Sequence, residues 1–422
     1  MKSTKESAES RFVILTLWLL VFAASSQVMI VAPIIPRIAE ELHVGKSTLG
    51  LLITIYAVVV GLFALVAGPI SDRYGRRRIL LAGSGLLAIT LGLHAVADNF
   101  SLLLTMRGFA GVAGGFLSGA VVSYIGDYFP VHRRGWASGW VMSGIAVGQV
   151  LGIPLGNLLA DWFSFRTPFL AFSLLAALSF LFMLFKLPQP QVTLRTSLSF
   201  QSALGSYATL LRRREVRAAA LAYMTMLMGF SLFETFFPTW LEEHFGFSVA
   251  MVSLLFMVGG VTKVIAGPQA GKLSDRIGRT GVIIGVAIGI ALLLPLIILV
   301  QPSFFWVIYP LFCLMMICMA PRMVPIGALL TQLVSGEQRG AVMSLVTSTA
   351  QIGYGLGSAL ASLVWGVWGF TGNALLGMVS TLLTAGIVWR YLRKVELRML
   401  DEEQIENEQT GETEVHTLPY HL

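Results

Sequence analysis

The chain has 422 residues, of which 56% are hydrophobic and only 12% are charged, and its mean hydropathy is +0.78. Soluble domains average about 25% charged residues, so this composition excludes an ordinary soluble protein and indicates a chain embedded in lipid. The net charge of +7 is spread over short loops without a compact basic module, so no nucleic-acid partner is expected.

Long apolar runs follow one another along the whole chain. A transmembrane helix needs about 20 residues to cross a hydrocarbon core of about 30 Å, whereas a barrel strand needs only about ten alternating residues. The runs therefore predict helices, and the first run is too long for the apolar region of a cleaved signal peptide. The twelve predicted spans are 12-34, 48-68, 79-97, 101-124, 136-160, 165-187, 217-241, 248-270, 281-300, 303-330, 340-364 and 370-392.

A loop motif that occurs twice predicts an internal duplication. The loop after the second span reads Gly68-Pro-Ile-Ser-Asp72-Arg73-Tyr-Gly75-Arg76-Arg77-Arg78. A near copy, Gly271-Lys-Leu-Ser-Asp275-Arg276-Ile-Gly278-Arg279, follows half a chain length later. The repeat predicts an all-α membrane protein whose twelve transmembrane helices form two pseudo-symmetric six-helix bundles, residues 1-187 and 217-393.

Two polar segments complete the predicted domain organisation. In the linker 188-216, Phe200, Leu204, Tyr207 and Leu211 fall at helical spacing ahead of three arginines. This pattern favours an amphipathic helix on the inner leaflet, with a solvated connector as the alternative. The tail 394-422 is acidic and poor in apolar residues, and we expect disorder beyond its first turn or two.

The distribution of basic residues predicts the orientation. Of the 29 Lys and Arg residues, only Arg37, Lys46 and Arg166 fall in loops on one side of the predicted membrane. Apart from three inside spans, all the others fall on the opposite side. Because cytoplasmic loops carry the excess of Lys and Arg, both termini are predicted to be cytoplasmic in a multi-pass protein of the cell membrane.

The loop motif resembles the signature loop of the major facilitator superfamily, Gly-x-Leu-x-Asp-Arg-x-Gly-Arg-Arg, and the resemblance extends over about residues 11 to 393. It implies a twelve-helix secondary transporter whose loop gates the cytoplasmic side by contacts between helices two, four and eleven. A carboxylate such as Asp72 among arginines suits an ion-pair latch, and a simple topology signal is the alternative. The predicted gate comprises Gly68, Asp72, Arg73, Gly75, Arg76, Arg77, Asp127, Arg134, Asp275 and Arg276.

Helix five carries four glycines at a spacing of four, which places them on one helix face for close packing. Pro154 lies among them and can kink the helix. This pattern resembles the antiporter motif of drug:proton exporters, Gly-x-x-x-Gly-Pro-x-x-Gly-Gly, although the proline comes one residue late and Asn157 replaces a glycine. The resemblance favours export, whereas packing alone is the alternative. The motif residues are Gly144, Gly148, Gly152, Pro154 and Gly156.

Four ionisable residues lie inside predicted spans: Arg107, Glu234, Lys263 and Arg322. Each costs about 2.5–3.5 kcal/mol or more at the bilayer centre, so each is expected to face a cavity or a partner. Glu234 is the sole carboxylate among them and is predicted to carry the proton, with a fixed ion pair as the alternative. Arg107 matches the family's helix-four arginine, which the resemblance links to proton coupling, while snorkelling to the outer interface is its alternative.

Several polar residues within the spans are candidates for contact with a substrate, although each can equally join two helices. Three cations against one anion also favour an anionic substrate or head group. Cys313 and Cys318 are expected to be small apolar fillers, because their spacing suits neither zinc nor a disulfide framework. The predicted cavity residues are Gln27, Gln149, Lys263, Arg322, Gln351 and Tyr354.

The leading hypothesis is a proton-coupled exporter of drugs or small metabolites that works by alternating access as a monomer. Its expected partners are a small-molecule substrate, protons and membrane lipids, with no cofactor and no metal. An uptake or exchange carrier for an organic anion is the alternative. A membrane enzyme is not expected, because the sequence shows no His cluster, Ser-His-Asp set or phosphate loop. A transporter-like sensor is not expected either, because no segment of the sequence reads as a soluble signalling domain.

Overall fold

The computed structural model describes residues 2–190, 200–320, 322, 326–327, 329–330, 334 and 338–398, with side chains except at 2–8, 200–204 and 275. The secondary structure described is entirely helical. Short 3₁₀-helices cover His94–Val96 and Pro302–Val307, and π-helical turns cover Gly148–Gly152 and Val388–Leu392. The α-helices are α1 (Lys2–Met29), α2 (Val31–Leu42), α3 (Lys46–Tyr74), α4 (Arg76–Leu93), α5 (Phe100–Tyr128), α6 (Val131–Val147), α7 (Ile153–Trp162), α8 (Arg166–Lys186), α9 (Phe200–Arg212), α10 (Arg214–Glu234), α11 (Phe237–Phe245), α12 (Val249–Ile277), α13 (Arg279–Ile298), α14 (Ile308–Met319) and α15 (Arg339–Ile387).

Eleven helical segments in the described ranges are long and apolar enough to cross a membrane. The last of them, Arg339–Arg398, has 60 residues and would be about 90 Å long if straight, three times the bilayer core. It is broken at Gly369, where φ is 59° and ψ is −154°. A Cβ atom at Gly372 would lie 2.5 Å from Val364 Cγ1, so the chain folds back there. The break falls between predicted spans eleven and twelve, and the count of twelve stays a prediction.

Predicted spans one and seven, the first of each half, break at matching places. The first half breaks between Met29 and Val31, and the second half breaks after Glu234. Pro33 and Pro238 each follow four residues after the last residue of the preceding helix. A proline cannot donate to the carbonyl four residues before it, and its ring displaces that carbonyl. The two prolines therefore account for both breaks, and Glu234 lies directly at one of them.

Glycines give the closest helix contacts in both halves. Gly148 lies against α1, where an added Cβ would be 2.5 Å from Ser25 Oγ. Gly353, its predicted equivalent, lies against the backbone of Met224 on α10. Predicted span five, which contains Gly148, thus packs on span one (α1). Span eleven, the first part of α15, packs in the same way on span seven (α10), in agreement with the predicted repeat.

The core and the linker follow the same division of the chain. The largest apolar cluster draws almost entirely on residues 13–187, and two others draw mainly on residues 207–392. In α9, Tyr207 is buried and its hydroxyl donates to Leu65 O at 2.8 Å, whereas Leu211 is exposed. The placement of α9 on the inner leaflet and the domain boundaries remain predictions. The tail beyond residue 398 lies outside the described residues.

One glycine in each of the two loop motifs has the same unusual backbone conformation. Gly75 has φ 92° and ψ 143°, and Gly278 has φ 89° and ψ 144°. Side chains other than hydrogen are strained at such positive φ values. Each glycine separates two helices and turns the chain sharply at the membrane surface.

We expect Gly75→Ala and Gly278→Ala each to destabilise the fold by about 1–3 kcal/mol, because an alanine is strained at the positive φ of both positions. Thermal unfolding of the purified protein in detergent measures this loss. Gly68→Ala is the matched control, since Gly68 lies within α3 and a Cβ there meets nothing within 4 Å. Equal melting temperatures for all three variants would contradict the expectation.

Candidate functional site

A cavity lies between the two halves of the chain. The first half contributes Met29, Gln149 and Ile153 to its wall. The second half contributes Gly260, Met316 and five phenylalanines, which are Phe230, Phe233, Phe237, Phe256 and Phe312, besides two charged residues. Cavities with an apolar lining and a few polar groups are the usual form of a small-molecule site.

Among the residues that the structure describes, the charged groups that line this cavity are Glu234 and Lys263. Glu234 Oε2 accepts a hydrogen bond of 2.8 Å from the Tyr354 hydroxyl on α15. Glu234 and Lys263 attract each other, but the Lys263 nitrogen lies more than 4.0 Å from the carboxylate oxygens and forms no salt bridge with them. The second carboxylate oxygen and the Lys263 ammonium are therefore available to a ligand.

Arg107 is buried inside the first half and does not reach the outer interface. Its Nη1 donates to Gln27 Oε1 at 2.7 Å, its Nε donates to Leu52 O at 3.4 Å, and its guanidinium lies 4.5 Å from the centroid of the Tyr56 ring. Gln27 in turn donates to Tyr56 Oη at 3.1 Å. Arg107 is also within electrostatic range of Tyr354, which connects this cluster with Glu234.

Arg322 is buried and donates from Nη2 to Met226 O at 2.9 Å. It forms no salt bridge with Glu234, so the fixed ion pair that the sequence offered as an alternative is not formed between them. It adds positive charge close to Lys263. Among the predicted cavity residues, Gln149 and Lys263 line the cavity, whereas Gln27, Arg322, Gln351 and Tyr354 lie outside its wall.

The predicted gate residues form a network within the first half. Arg76 pairs with Asp72 at 2.5 Å and with Asp127 at 2.8 Å, which ties α3, α4 and α5 together. Arg77 donates to Leu187 O at 2.7 Å, at the end of α8. The network reaches the predicted second and fourth helices.

The remaining gate residues have other surroundings. Arg134 donates to Phe129 O at 3.0 Å and so stabilises the turn before α6. Arg73 stacks over Tyr74 at 5.4 Å, and Arg276 is exposed. The side chain of Asp275 lies outside the described residues.

The helix-five motif forms a packing surface. Gly144, Gly152 and Gly156 face Trp18, Ser26 and Ile30 of helix one. Between α6 and α7 the helix widens to a π-turn over Gly148–Gly152. Pro154 lies two residues after this turn, and such a local widening accommodates a helix without a regular bond at the proline.

All three basic residues on the predicted outer side are paired with acids. Arg37 binds Glu242 at 2.5 Å and Asp161 at 3.1 Å, and Lys46 binds Glu243 at 2.7 Å. Burial disfavours the charged form of Arg37, but the bonds and charges of its two partners outweigh burial and raise the pKa of Arg37. The contacts with Glu242 and Glu243 join the two halves of the chain.

Arg166 pairs with Glu41 at 2.7 Å within the first half. The acidic partners of the outer basic residues were not among the predicted site residues. The available sequence signal was the isolation of three basic residues on that side, close to the acidic pairs Glu40-Glu41 and Glu242-Glu243.

The halves are in close contact at the predicted outer end. Ser358 Oγ donates to Gly50 O at 2.8 Å, and Thr54 Oγ1 donates to Gly355 O at 3.1 Å. In contrast, a Cβ atom added at Gly68 or at Gly271, near the predicted cytoplasmic end, would meet nothing within 4 Å. In its described part, the molecule is therefore closed at the predicted outer end.

Comparison with known proteins identifies the family. Residues 17–260 and 219–414 match the family model of the Major Facilitator Superfamily. The chain belongs to the major facilitator superfamily. The match covers both halves, and it confirms the resemblance of the loop motif.

Two curated relatives of this superfamily member cover most of its length. The multidrug resistance protein MdtG of Salmonella typhi is 26% identical over 393 residues, covering 90% of this chain and 95% of that protein. The uncharacterized MFS-type transporter YceJ of Bacillus subtilis (strain 168) is 24% identical over 358 residues, covering 83% and 89%. These relatives indicate a transporter rather than an enzyme.

Solved structures show the same fold at lower sequence identity. A D-xylose-proton symporter superposes with a TM-score of 0.72 at 17% identity, covering 90% of this chain and 97% of that chain. A point mutant of the nucleoside transporter NupG superposes with a TM-score of 0.74 at 14% identity, covering 90% and 99%. These structures share the fold, and the family match with its relatives makes the protein a multi-pass helical transporter of small molecules.

Proposed function

We propose that the protein is a proton-coupled exporter of small amphipathic molecules in the cell membrane. The observation that carries the proposal is the position of Glu234, the one carboxylate inside the predicted spans. It lies at a helix break, on the wall of a phenylalanine-lined cavity between the halves. Such a carboxylate can bind either a proton or a substrate group in turn.

Alternating access supplies the transport cycle. The two halves rock about the central cavity, and protons and substrate occupy it in different states. Outside, a proton reaches Glu234 and displaces the substrate; inside, the proton leaves and a new substrate binds. In this cycle Arg37–Glu242 and Lys46–Glu243 close the outer end while the cavity faces the cytoplasm, and the Asp72–Arg76–Asp127 network holds together the cytoplasmic ends of α3, α4 and α5.

Export rather than uptake is supported by two features. The glycine-rich face of helix five resembles the antiporter motif, and it forms the packing surface against helix one. The relatives include multidrug resistance proteins. A mostly apolar cavity wall also suits adaptable apolar substrates better than sugars, which need many hydrogen bonds.

A second candidate function is an organic-anion carrier, and Lys263 favours it. The Lys263 ammonium lines the cavity and forms no salt bridge with any described residue, and Arg322 adds positive charge nearby. Protonation of Glu234 would leave this site positive and attract an anion. Proton and anion would then bind together and move in the same direction, which is uptake driven by an acidic exterior.

Vesicle transport separates the two functions. Inverted membrane vesicles with an acidic lumen are expected to accumulate an exported substrate, and a protonophore should release it. An anion carrier would instead load right-side-out vesicles placed in an acidic medium. Accumulation that is independent of the pH gradient in both preparations would contradict proton coupling.

A further inference from the structure

We infer that the cavity takes a zwitterionic aromatic molecule, one that carries an ammonium group and a carboxylate on a flat apolar body. The inference rests on the proposed function and specifies its substrate class. It is drawn from the two opposite charges on the cavity wall, which do not satisfy each other.

The charges of the cavity wall set the first requirement. Charged groups out of water need partners, since desolvation is costly unless each charge is paired and hydrogen-bonded. Glu234 has one hydrogen bond, from Tyr354. Lys263 offers three donors, and its nitrogen is more than 4.0 Å from the carboxylate. A ligand that brings one acceptor and one donor satisfies both groups.

Singly charged ligands satisfy only one of the two groups. A cation at Glu234 would leave Lys263 without an acceptor and would be repelled by Lys263 and the nearby Arg322. An anion at Lys263 would be repelled by Glu234 and would leave that carboxylate exposed to a negative neighbour. A zwitterion adds no net charge to a low-dielectric cavity, in which uncompensated charge is most costly.

The apolar wall sets the second requirement. Phe233 and Phe237 stack with ring centroids 4.5 Å apart, and Phe312 stacks on Phe237 at 5.3 Å. Aromatic side chains on a cavity wall favour a flat ring in offset or edge-on contact. The wall of the cavity therefore favours a substrate with a flat apolar body.

The zwitterion also explains competition with the proton. Protonation of Glu234 removes the partner of the substrate's ammonium group and leaves Lys263 holding only the carboxylate. The substrate is then bound by one charge pair in place of two and is released more easily. Proton and substrate therefore exclude each other, as export against an inward proton flux requires.

A charge-matched set of probes tests the inference by equilibrium competition binding to the purified protein. Tryptophan is the zwitterion, tryptophan methyl ester is the cation, and N-acetyltryptophan is the anion. We expect tryptophan to bind about tenfold more tightly than either derivative, because each derivative loses one charged hydrogen bond. An ester or N-acetyl derivative that binds as tightly as tryptophan overturns the inference, and so does the absence of tryptophan binding.

Variants assign each charge to its residue. Lys263→Gln is expected to remove the preference over the methyl ester, and Glu234→Gln the preference over N-acetyltryptophan. Lys263→Arg should retain the preference if the charge is what matters. Lys272→Gln, on an exposed part of the same helix near its predicted cytoplasmic end, is the matched control. A preference that survives both Gln substitutions would overturn the assignment.

Failure of the inference and failure of the proposed function are distinguishable. The expected binding preference without gradient-driven transport supports the zwitterion site and contradicts proton-coupled export. Gradient-driven export of a singly charged or neutral compound, with no preference for tryptophan in binding, supports export and overturns the zwitterion site.

Discussion

Replacing Glu234 with Gln is expected to abolish accumulation of substrate against its gradient while substrate binding remains measurable. The amide keeps the size of the side chain and can still accept a hydrogen bond from Tyr354, but it cannot bind and release a proton. Loss of the only carboxylate inside the predicted spans leaves the cycle without a coupling group. The expected loss of driven transport is about a hundredfold or more, the scale at which removal of an acid–base group acts.

Two assays separate coupling from binding in this variant. Gradient-driven uptake into inverted vesicles measures proton coupling. Counterflow exchange at equal pH on both sides measures substrate binding and the change between the two access states, without a proton gradient. Glu40→Gln is the matched control, because Glu40 is an exposed glutamate of α2. Near-normal accumulation by Glu234→Gln would show that another group carries the proton or that transport is not proton-coupled.

Breaking the outer ion pair Arg37–Glu242 is expected to shift the protein toward states that are open to the outside. The two side chains are only 18% and 16% exposed, so the pair is better shielded than Lys46–Glu243, at 33% and 45%. Exposed pairs contribute at most about 1 kcal/mol. We expect about 1–2 kcal/mol for Arg37→Gln, a shift of roughly five- to thirtyfold in population, and a smaller shift for Lys46→Gln.

Labelling of a cavity cysteine measures this shift. Cys313 and Cys318 are first replaced by Ala, and Ile153→Cys places a reporter on the cavity wall. An impermeant maleimide added on the predicted outer side should label the reporter faster in Arg37→Gln. The charge-swapped double variant Arg37→Glu with Glu242→Arg should restore slow labelling. Unchanged labelling in Arg37→Gln would mean that the pair does not hold the outer end closed.

The helical membrane fold of the molecule could be predicted from local sequence. Apolar runs and the placement of basic residues act over one span or loop, so the helical membrane fold was readable without tertiary contacts. The loop motif was equally local, since Gly75 and Gly278 adopt positive φ through backbone sterics. Glu234 was identified because a carboxylate in an apolar run is costly to place in the membrane, and such residues usually serve a function.

The partners of these residues could not be predicted. Neither the hydrogen bond from Tyr354 to Glu234, 120 positions apart, nor the pairing of Arg37 with Glu242, 205 positions apart, leaves a trace in local pattern. The helix break after Glu234 was signalled by Pro238, but its importance appears only because the cavity lies beside it. Tyr354 was grouped with substrate contacts, whereas it binds the carboxylate.

The sequence by itself determined the helical class, the membrane environment, the repeated loop and the presence of one intramembrane carboxylate. The reason is that hydropathy, proline geometry and glycine sterics act between neighbours along the chain. Only the tertiary structure decided which lysine shares a cavity with Glu234 and which acids close the outer end. Those choices depend on how helices from the two halves pack, and helix faces toward lipid and toward the cavity are equally apolar in sequence.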